Sequence, residues 1–575
     1  MQNVQKGVVF NAYPDSIGDD LSALIDLFEK SEFKHAFSYV YLLPTLFNSD
    51  LDRGFSIIDY NLNKSLVKKE NLEYLANLNI KLKLDIVLNH LSVASPQFQD
   101  LLLHGNRSKY KDFFINWNSF WTNNGQMQGD GIIKPKKAFL EKLFMRKDGL
   151  PILEVFFPDG SKQPYWNTFY QKIEFNKIQP SDLDSVLTSE KQKITLSKAI
   201  NNAIDKGENI QDINLIKNSI YKSDLLNIIY QKCTYLGQMD LNANSEMVWE
   251  FYQESLQKLN SYGCKILRLD AFAYLHKSVG ETNFFNKPGT WEYLERFKSM
   301  ADEFDFILLP EIHAEYGSKI HEEVAKKGYT IYDFFLPGLM IYTIEYKDNR
   351  PLIKWITEIV EKGYKTINML GCHDGIPMLD LRGKEVNGVC HKGLLTDKQI
   401  DDIIALILDR GGKVKNIFDA KGKKISYYQI NATYFSALGE SEKKLLLARA
   451  IQLFMPGTPQ VWYLDLFAGK NDYLAMSRAG TEGHKEINRT NLSDGDINEG
   501  LTKNIVKKQL ALINIRNRLT AFGGKLILEP CNANQLKLTW KMDNDFARLE
   551  ASLDSLQFSV SYSENGKIRK EIFNS

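Results

Sequence analysis

The sequence predicts an α/β fold: a (β/α)8 barrel with a large subdomain inserted after its third strand and a small C-terminal antiparallel β domain. Three observations predict it. Eight short β-branched or aromatic runs recur along the chain, most of them followed by stretches with helical apolar spacing. Polar and charged residues sit at the C-terminal ends of those runs, where such barrels keep their active sites. After Leu519 the pattern changes to alternating runs of the antiparallel kind.

The strand runs are 7–13, 39–47, 81–90, 265–272, 304–313, 329–337, 364–371 and 458–464. Between them, apolar residues recur at three and four over 20–30, 70–78, 245–259, 291–303, 396–408 and 442–454, which predicts helices. An open doubly wound sheet would alternate in the same way and stands as the alternative on pattern alone. The spacing is uneven. About 175 positions separate His90 from Lys265, where a βα connection needs far fewer, so a subdomain is expected there. Its middle, 174–230, is rich in Asn, Lys, Asp and Ser with apolar residues at helical spacing, and reads as helices on the subdomain's flank. The expected division is a barrel over 1–92 and 236–519, an insertion over 93–235, a second excursion over 375–429 lining the active site, and a β domain over 520–575. The runs LKLTWKM, ARLEASL and QFSVSYS supply the last.

At 575 residues with 43% hydrophobic and 25% charged residues, the chain has ordinary globular composition and length for several structural units. Its 72 Lys and Arg balance 71 Asp and Glu, so no strong field draws it to nucleic acid or anionic membrane. The N-terminal run is short and broken by Asn11, Pro14 and Asp15, no apolar run approaches a membrane span, and five unpatterned cysteines fit a reducing compartment. A cytoplasmic protein is expected, as monomer or homodimer.

Charged side chains inside apolar strand runs need an explanation, because isolated charges are costly to bury. Arg268 and Asp270 alternate with apolar neighbours in ILRLDAF and so share one side of their strand. Glu311 follows FILLP, His373 and Asp374 follow INMLGC, and Asp85, Asn89 and His90 share LKLDIVLNH. Any one of these reads equally well as a structural ion pair; four at the ends of four strands point to a site. Two carboxylates flanking a sugar's anomeric carbon can divide the labour, one as ionised nucleophile and one as acid. Arg268 is expected to hold Asp270 low, and burial to raise Glu311. No pair of histidines shows a zinc spacing, so neither metal nor cofactor is expected.

The ordered set DIVLNH (85–90), ILRLDAFAY (266–274), LLPEIH (308–313) and GCHDG (371–375) resembles the four signature regions of glycoside hydrolase family 13, the α-amylase superfamily. DRGFSIIDY (52–60), HLSVASPQFQD (90–100), YYQINATYFSALG (427–439) and EINRTN (486–491) are similar to its sucrose phosphorylases, and the likeness covers most of 5–520. The resemblance implies Asp270 as nucleophile, Glu311 as acid/base and Asp374 as transition-state stabiliser. It implies that Asp52 and Arg489 grip the far hydroxyls of glucose, that His90, Arg268 and His373 contact the same ring, and that Phe55 and Tyr274 form an apolar wall. Gln429 would join the substrate contacts, and phosphate or acceptor would meet Arg146, Lys147, Tyr428 and Ser426.

The implied activity is a retaining phosphorylase that takes a small sugar substrate and inorganic phosphate, with sucrose or a related α-glucoside as donor. A hydrolase, a transglucosylase and a catalytically silent scaffold subunit are the alternatives. Two departures bear on the acceptor. In the sucrose enzymes the loop before Tyr-Gln carries an Asp that holds fructose, whereas the corresponding place here is Ser426. Where the family often has Arg-Pro-Arg-Pro, this chain has Met145, Arg146, Lys147 and Asp148. Two cations and one lost anion favour a negatively charged acceptor such as a sugar phosphate. The inserted helices between Phe169 and Gln238 stand outside the resemblance.

Overall fold

The computed structural model describes residues 7–147, 149–418, 424–564 and 566–573, without the side chains of 415–418, 424–428 and 480–482. Eight strands form one parallel sheet: β1 (Val9–Ala12), β2 (Tyr39–Leu42), β3 (Lys81–Val87), β4 (Cys264–Asp270), β5 (Ile307–Pro310), β6 (Ile331–Asp333), β7 (Thr366–Met369) and β8 (Thr458–Trp462). The order is β5-β4-β3-β2-β1-β8-β7-β6, every pairing parallel, with β5 and β6 in contact where the barrel closes. This is the (β/α)8 barrel, and the open-sheet alternative falls.

Helices Leu21–Glu29, Lys69–Asn77, Glu246–Ser261, Gly289–Ala301, Asp397–Asp409 and Glu442–Phe454 lie within two residues of the predicted spans. Their starts carry the chemistry of helix entry. Asp20 accepts from the Ser22 amide and Thr396 forms a capping box with Gln399. The run 329–337 is corrected: only Ile331–Asp333 is strand, because Asp333 accepts from the amides of Phe335 and Leu336 and turns the chain into the helix Leu336–Tyr346. That helix is buried nearly all round and so offers no apolar stripe to read.

In the insertion, Cys233–Asp240 is the central strand of an antiparallel trio. It pairs with Gln171–Phe175 at one end and with His90–Ser92 at the other, directly after β3. The helices Glu190–Lys206, Asn214–Lys217 and Lys222–Gln231 enclose a small core of their own with Ile178, Leu183, Ile200, Ile216 and Ile229. In the second excursion, Lys424–Asn431 pairs with Lys413–Phe418 and with Ile376–Pro377. A side chain at Gly375 would put its Cβ 2.6 Å from Asn431 Oδ1 and 2.9 Å from Gln429 Cβ, so this close approach needs glycine.

The chain ends in a five-stranded antiparallel meander: β9 (Lys525–Leu528), β10 (Gln535–Met542), β11 (Asp545–Ser552), β12 (Phe558–Glu564) and β13 (Lys567–Phe573). Its Leu536, Leu538 and Trp540 belong to the same apolar core as the barrel. The buried guanidinium of Arg516 lies over the rings of Phe522 and Trp540 and donates to the Gly457 carbonyl.

Candidate active site

Strand register builds the site. Arg268 on β4 stands opposite Asp85 on β3, and Asp270, two residues on, points the same way at the end of β4. Glu311 follows directly on β5, and His373 with Asp374 lie in the loop after β7. Arg268 is 1% exposed and is the hub. Its Nη1 donates to Asp85 Oδ1 at 2.7 Å and to Asp270 Oδ1 at 2.9 Å, and its Nη2 to Glu311 Oε1 at 2.7 Å. Tyr41 Oη also donates to Asp85, at 2.9 Å. Ala271, next to Asp270, has φ of +52° and donates its amide to Glu311 Oε2 at 3.2 Å. A left-handed alanine costs about 1 kcal/mol, retained here at the junction of the two carboxylates.

The two acids behave opposite to expectation. Burial raises Asp270 well above the carboxylate range, the Glu311 charge adds to it, and Arg268 only partly opposes them. Burial pushes Glu311 up as well, but Arg268 and His313 outweigh it and hold it low. The reason is that Arg268 is shared among three carboxylates, so its charge cannot favour Asp270 alone. His313 packs face to face on Phe334 at 3.8 Å and stands 3.6 Å from Glu311 and 3.4 Å from Asp380. Burial lowers its pKa, but Asp380 outweighs burial and the net direction is up.

Asp374 is clamped on both oxygens. Lys485 Nζ meets Oδ1 at 2.6 Å with Arg489 behind it at 4.0 Å, and His373 Nε2 meets Oδ2 at 3.3 Å. Burial alone would raise this carboxyl; Lys485, His373 and Arg489 hold it well below the usual range. Lys485 also stands 3.8 Å from Asp52, whose φ is +47°. Arg489 donates from Nε to the His373 carbonyl at 2.8 Å and lies over the Tyr13 ring. Phe55 stacks on His373 at 4.9 Å, the Arg268 guanidinium lies over its ring, and its carbonyl accepts from His90 Nε2 at 3.1 Å. Burial lowers His90 to about 4, so it is neutral at physiological pH.

The remaining sequence-derived residues fall into place unevenly. Tyr274 packs edge-on against Phe169 at 5.1 Å, Phe169 meets His90 at 5.0 Å, and Arg146 lies over the rings of both Phe169 and Tyr274. Arg146 therefore joins the aromatic wall that leads to His90. Lys147 does not share that position: its Nζ donates to Asn167, and burial lowers it to about 8. Gln429 is buried and accepts from the Gly375 amide at 3.3 Å. The side chains of Ser426 and Tyr428 lie outside the described residues.

Sequence reasoning missed Lys485, His313 with Asp380, and Tyr13. His313 had a signal, since it lies two residues after Glu311. Lys485, in a polar stretch four residues before Arg489, had none. Among the described residues Glu311, His313 and Asp374 each place one donor atom within 4.8 Å of the others. Any cation there would compete with Arg268 and Lys485 for the same oxygens.

Comparison with known proteins places this arrangement. No family model matches the chain. It is 51% identical over 559 residues to the sucrose 6(F)-phosphate phosphorylase of Ilumatobacter coccineus, covering 97% of this chain and 96% of that protein. It is 32% identical to the enzyme of the same description from Thermoanaerobacterium thermosaccharolyticum, covering 96% of each. The crystal structure of sucrose 6F-phosphate phosphorylase from Thermoanaerobacter thermosaccharolyticum superposes with a TM-score of 0.79 at 31% identity, over 100% of this chain and 98% of that one. With signature residues at four strand ends of one barrel and this likeness along nearly its whole length, the chain belongs to the sucrose and sucrose 6F-phosphate phosphorylases of glycoside hydrolase family 13.

Proposed function

We propose that the protein transfers glucose from a sucrose-type donor to inorganic phosphate with retention, and that its preferred donor is sucrose 6F-phosphate. The observation that carries the reading is the Arg268 hub, which gathers Asp85, Asp270 and Glu311 beside the clamped Asp374. In the first step a carboxylate oxygen of Asp270 attacks C1, the bond from C1 to the ketose oxygen breaks, and Glu311 gives that oxygen its proton. In the second, a phosphate oxygen attacks C1 from the vacated side, the ester to Asp270 breaks, and the phosphate's proton returns to Glu311. Two inversions leave α-glucose 1-phosphate.

In the free site the proton of the pair favours Asp270. Positive charge developing at C1 stabilises the ionised form of the adjacent Asp270, which shifts the proton toward Glu311 and the leaving oxygen. Asp374 stays ionised beside Lys485 and offers its charge to the ring. Arg146 on the aromatic wall supports the phosphorylated acceptor: a phosphate there gains charge-assisted hydrogen bonds worth roughly 1.5–3 kcal/mol each before desolvation.

Incubation with sucrose 6F-phosphate and with sucrose, each with and without phosphate, tests the reading. Phosphate-dependent glucose 1-phosphate formation is expected, with at least about tenfold higher kcat/KM on the phosphorylated donor, the equivalent of about 1.4 kcal/mol. Glucose release independent of phosphate would replace phosphorolysis by hydrolysis.

A further inference from the structure

Lys485 is a charged side chain of the site that none of the signature regions supplies. It comes from the turn segment Gly480–Asn488 and bridges two carboxylates of different origin: Asp374 after β7 at 2.6 Å and Asp52 from the turn Asp52–Gly54 at 3.8 Å. Both carboxylates crowd the same mouth as Asp270, Glu311 and Asp85. Five acids within one barrel mouth repel one another, and Arg268 is already divided among three of them. The other cation beside Asp374, Arg489, is 4.0 Å away and engaged by Glu486 and the His373 carbonyl. The close counter-charge for Asp374 is therefore Lys485.

We infer that Lys485 is a positioning residue of the glucose subsite: it fixes Asp374 and Asp52 at one separation, so that the two can grip hydroxyls on the same sugar ring. This rests on the functional reading above for the sugar's orientation. An ammonium suits the task because it is a compact charge with several donors, which one flexible stem can aim at two acceptors. Without it, Asp374 turns from its place or takes up a proton, and its contacts to the ring weaken most where they matter most, in the transition state.

The test uses α-glucosyl fluoride, which needs only the glucose subsite and the nucleophile, together with its 3-deoxy and 4-deoxy analogues. Lys485→Met is expected to lower kcat on the fluoride at least about a hundredfold, and Lys485→Arg to recover part of the loss. In the native enzyme, deletion of a hydroxyl held by the clamp lowers kcat/KM; in Lys485→Met the same deletion costs much less, because the partner that read it is already misplaced. A purely structural lysine would change Tm and leave the deoxy penalties intact, which would overturn the inference. Should Lys485→Met fail to fold, the Lys485→Arg and Lys485→Gln variants carry the same comparison. Equal kcat for native enzyme and Lys485→Met would sink the idea while leaving the functional reading standing. A native enzyme inert toward the fluoride, sucrose and sucrose 6F-phosphate would instead sink the functional reading, and the inference with it.

Discussion

At the scale of single residues, the chemistry turns on charges that burial has made expensive. Asp270→Asn removes the nucleophile's charge with almost no change in volume, so several orders of magnitude should be lost from kcat on every donor while Tm holds. Glu311→Gln should recover on donors whose leaving groups need no proton; uniform loss across leaving groups would remove the acid role. Arg146→Ala should reduce kcat/KM for sucrose 6F-phosphate far more than for sucrose, with the gap narrowing at high salt. Equal losses on both donors would take Arg146 out of acceptor selection. A second buried cation, Lys277, ties barrel to insertion by donating to Asn89 Oδ1 at 2.8 Å and the Tyr274 carbonyl at 2.6 Å and by pairing with Asp240 at 2.7 Å. Lys277→Met strands a buried carboxylate, at a cost of about 3–5 kcal/mol. The sign of its pH dependence follows from Asp240. Burial raises that carboxyl, but Lys277 outweighs burial and its pKa is lowered on folding. Its contribution is therefore present above its unfolded pKa of about 3.9 and lost as pH falls through the folded value. The Tm difference between native protein and Lys277→Met should shrink between neutral pH and about pH 4, as measured by thermal melts across that range.

At the scale of elements, the helical insertion is built as a detachable unit. Phe175 pairs with Cys233 at the open end of an antiparallel ladder, and the helices between them carry their own core. Replacing 177–231 by a short turn would close that ladder as a hairpin. The principal loss is the stack of Tyr230 on Phe156 at 4.2 Å, worth about 0.5–1.5 kcal/mol. The shortened protein should fold, melt only a few degrees lower and keep phosphorolysis within severalfold. Failure to fold would make the insertion part of the barrel's own nucleus. Legibility at this scale followed periodicity. Glu442–Phe454 and Asp397–Asp409 showed a repeat and cap residues, whereas Leu336–Tyr346, buried nearly all round, offered no stripe and its first residues read as strand. The polar residues at strand ends were equally legible, because charge inside an apolar run is conspicuous wherever the chain folds.

At the scale of the whole molecule, the C-terminal meander is fused to the barrel. Trp540 is buried against Phe522 beneath Arg516, donates its indole N–H to the Phe454 carbonyl at 2.9 Å and shares the barrel's core. Trp540→Ala should cost about 3–5 kcal/mol and lower one common transition, because the two units share apolar area; two separated calorimetric transitions in the native protein would contradict this. The sequence by itself determined the barrel, the place of its insertion, the terminal meander and the residues at the strand ends, because period, charge in apolar runs and motif order are properties of the chain. Only the tertiary structure decided which carboxylate Arg268 favours, that Lys147 is taken up by Asn167, and that Lys485 enters the site. Each of these depends on distances between segments far apart in sequence, and electrostatic energy in a buried site is set by those distances and by burial, neither of which is written in the order of residues.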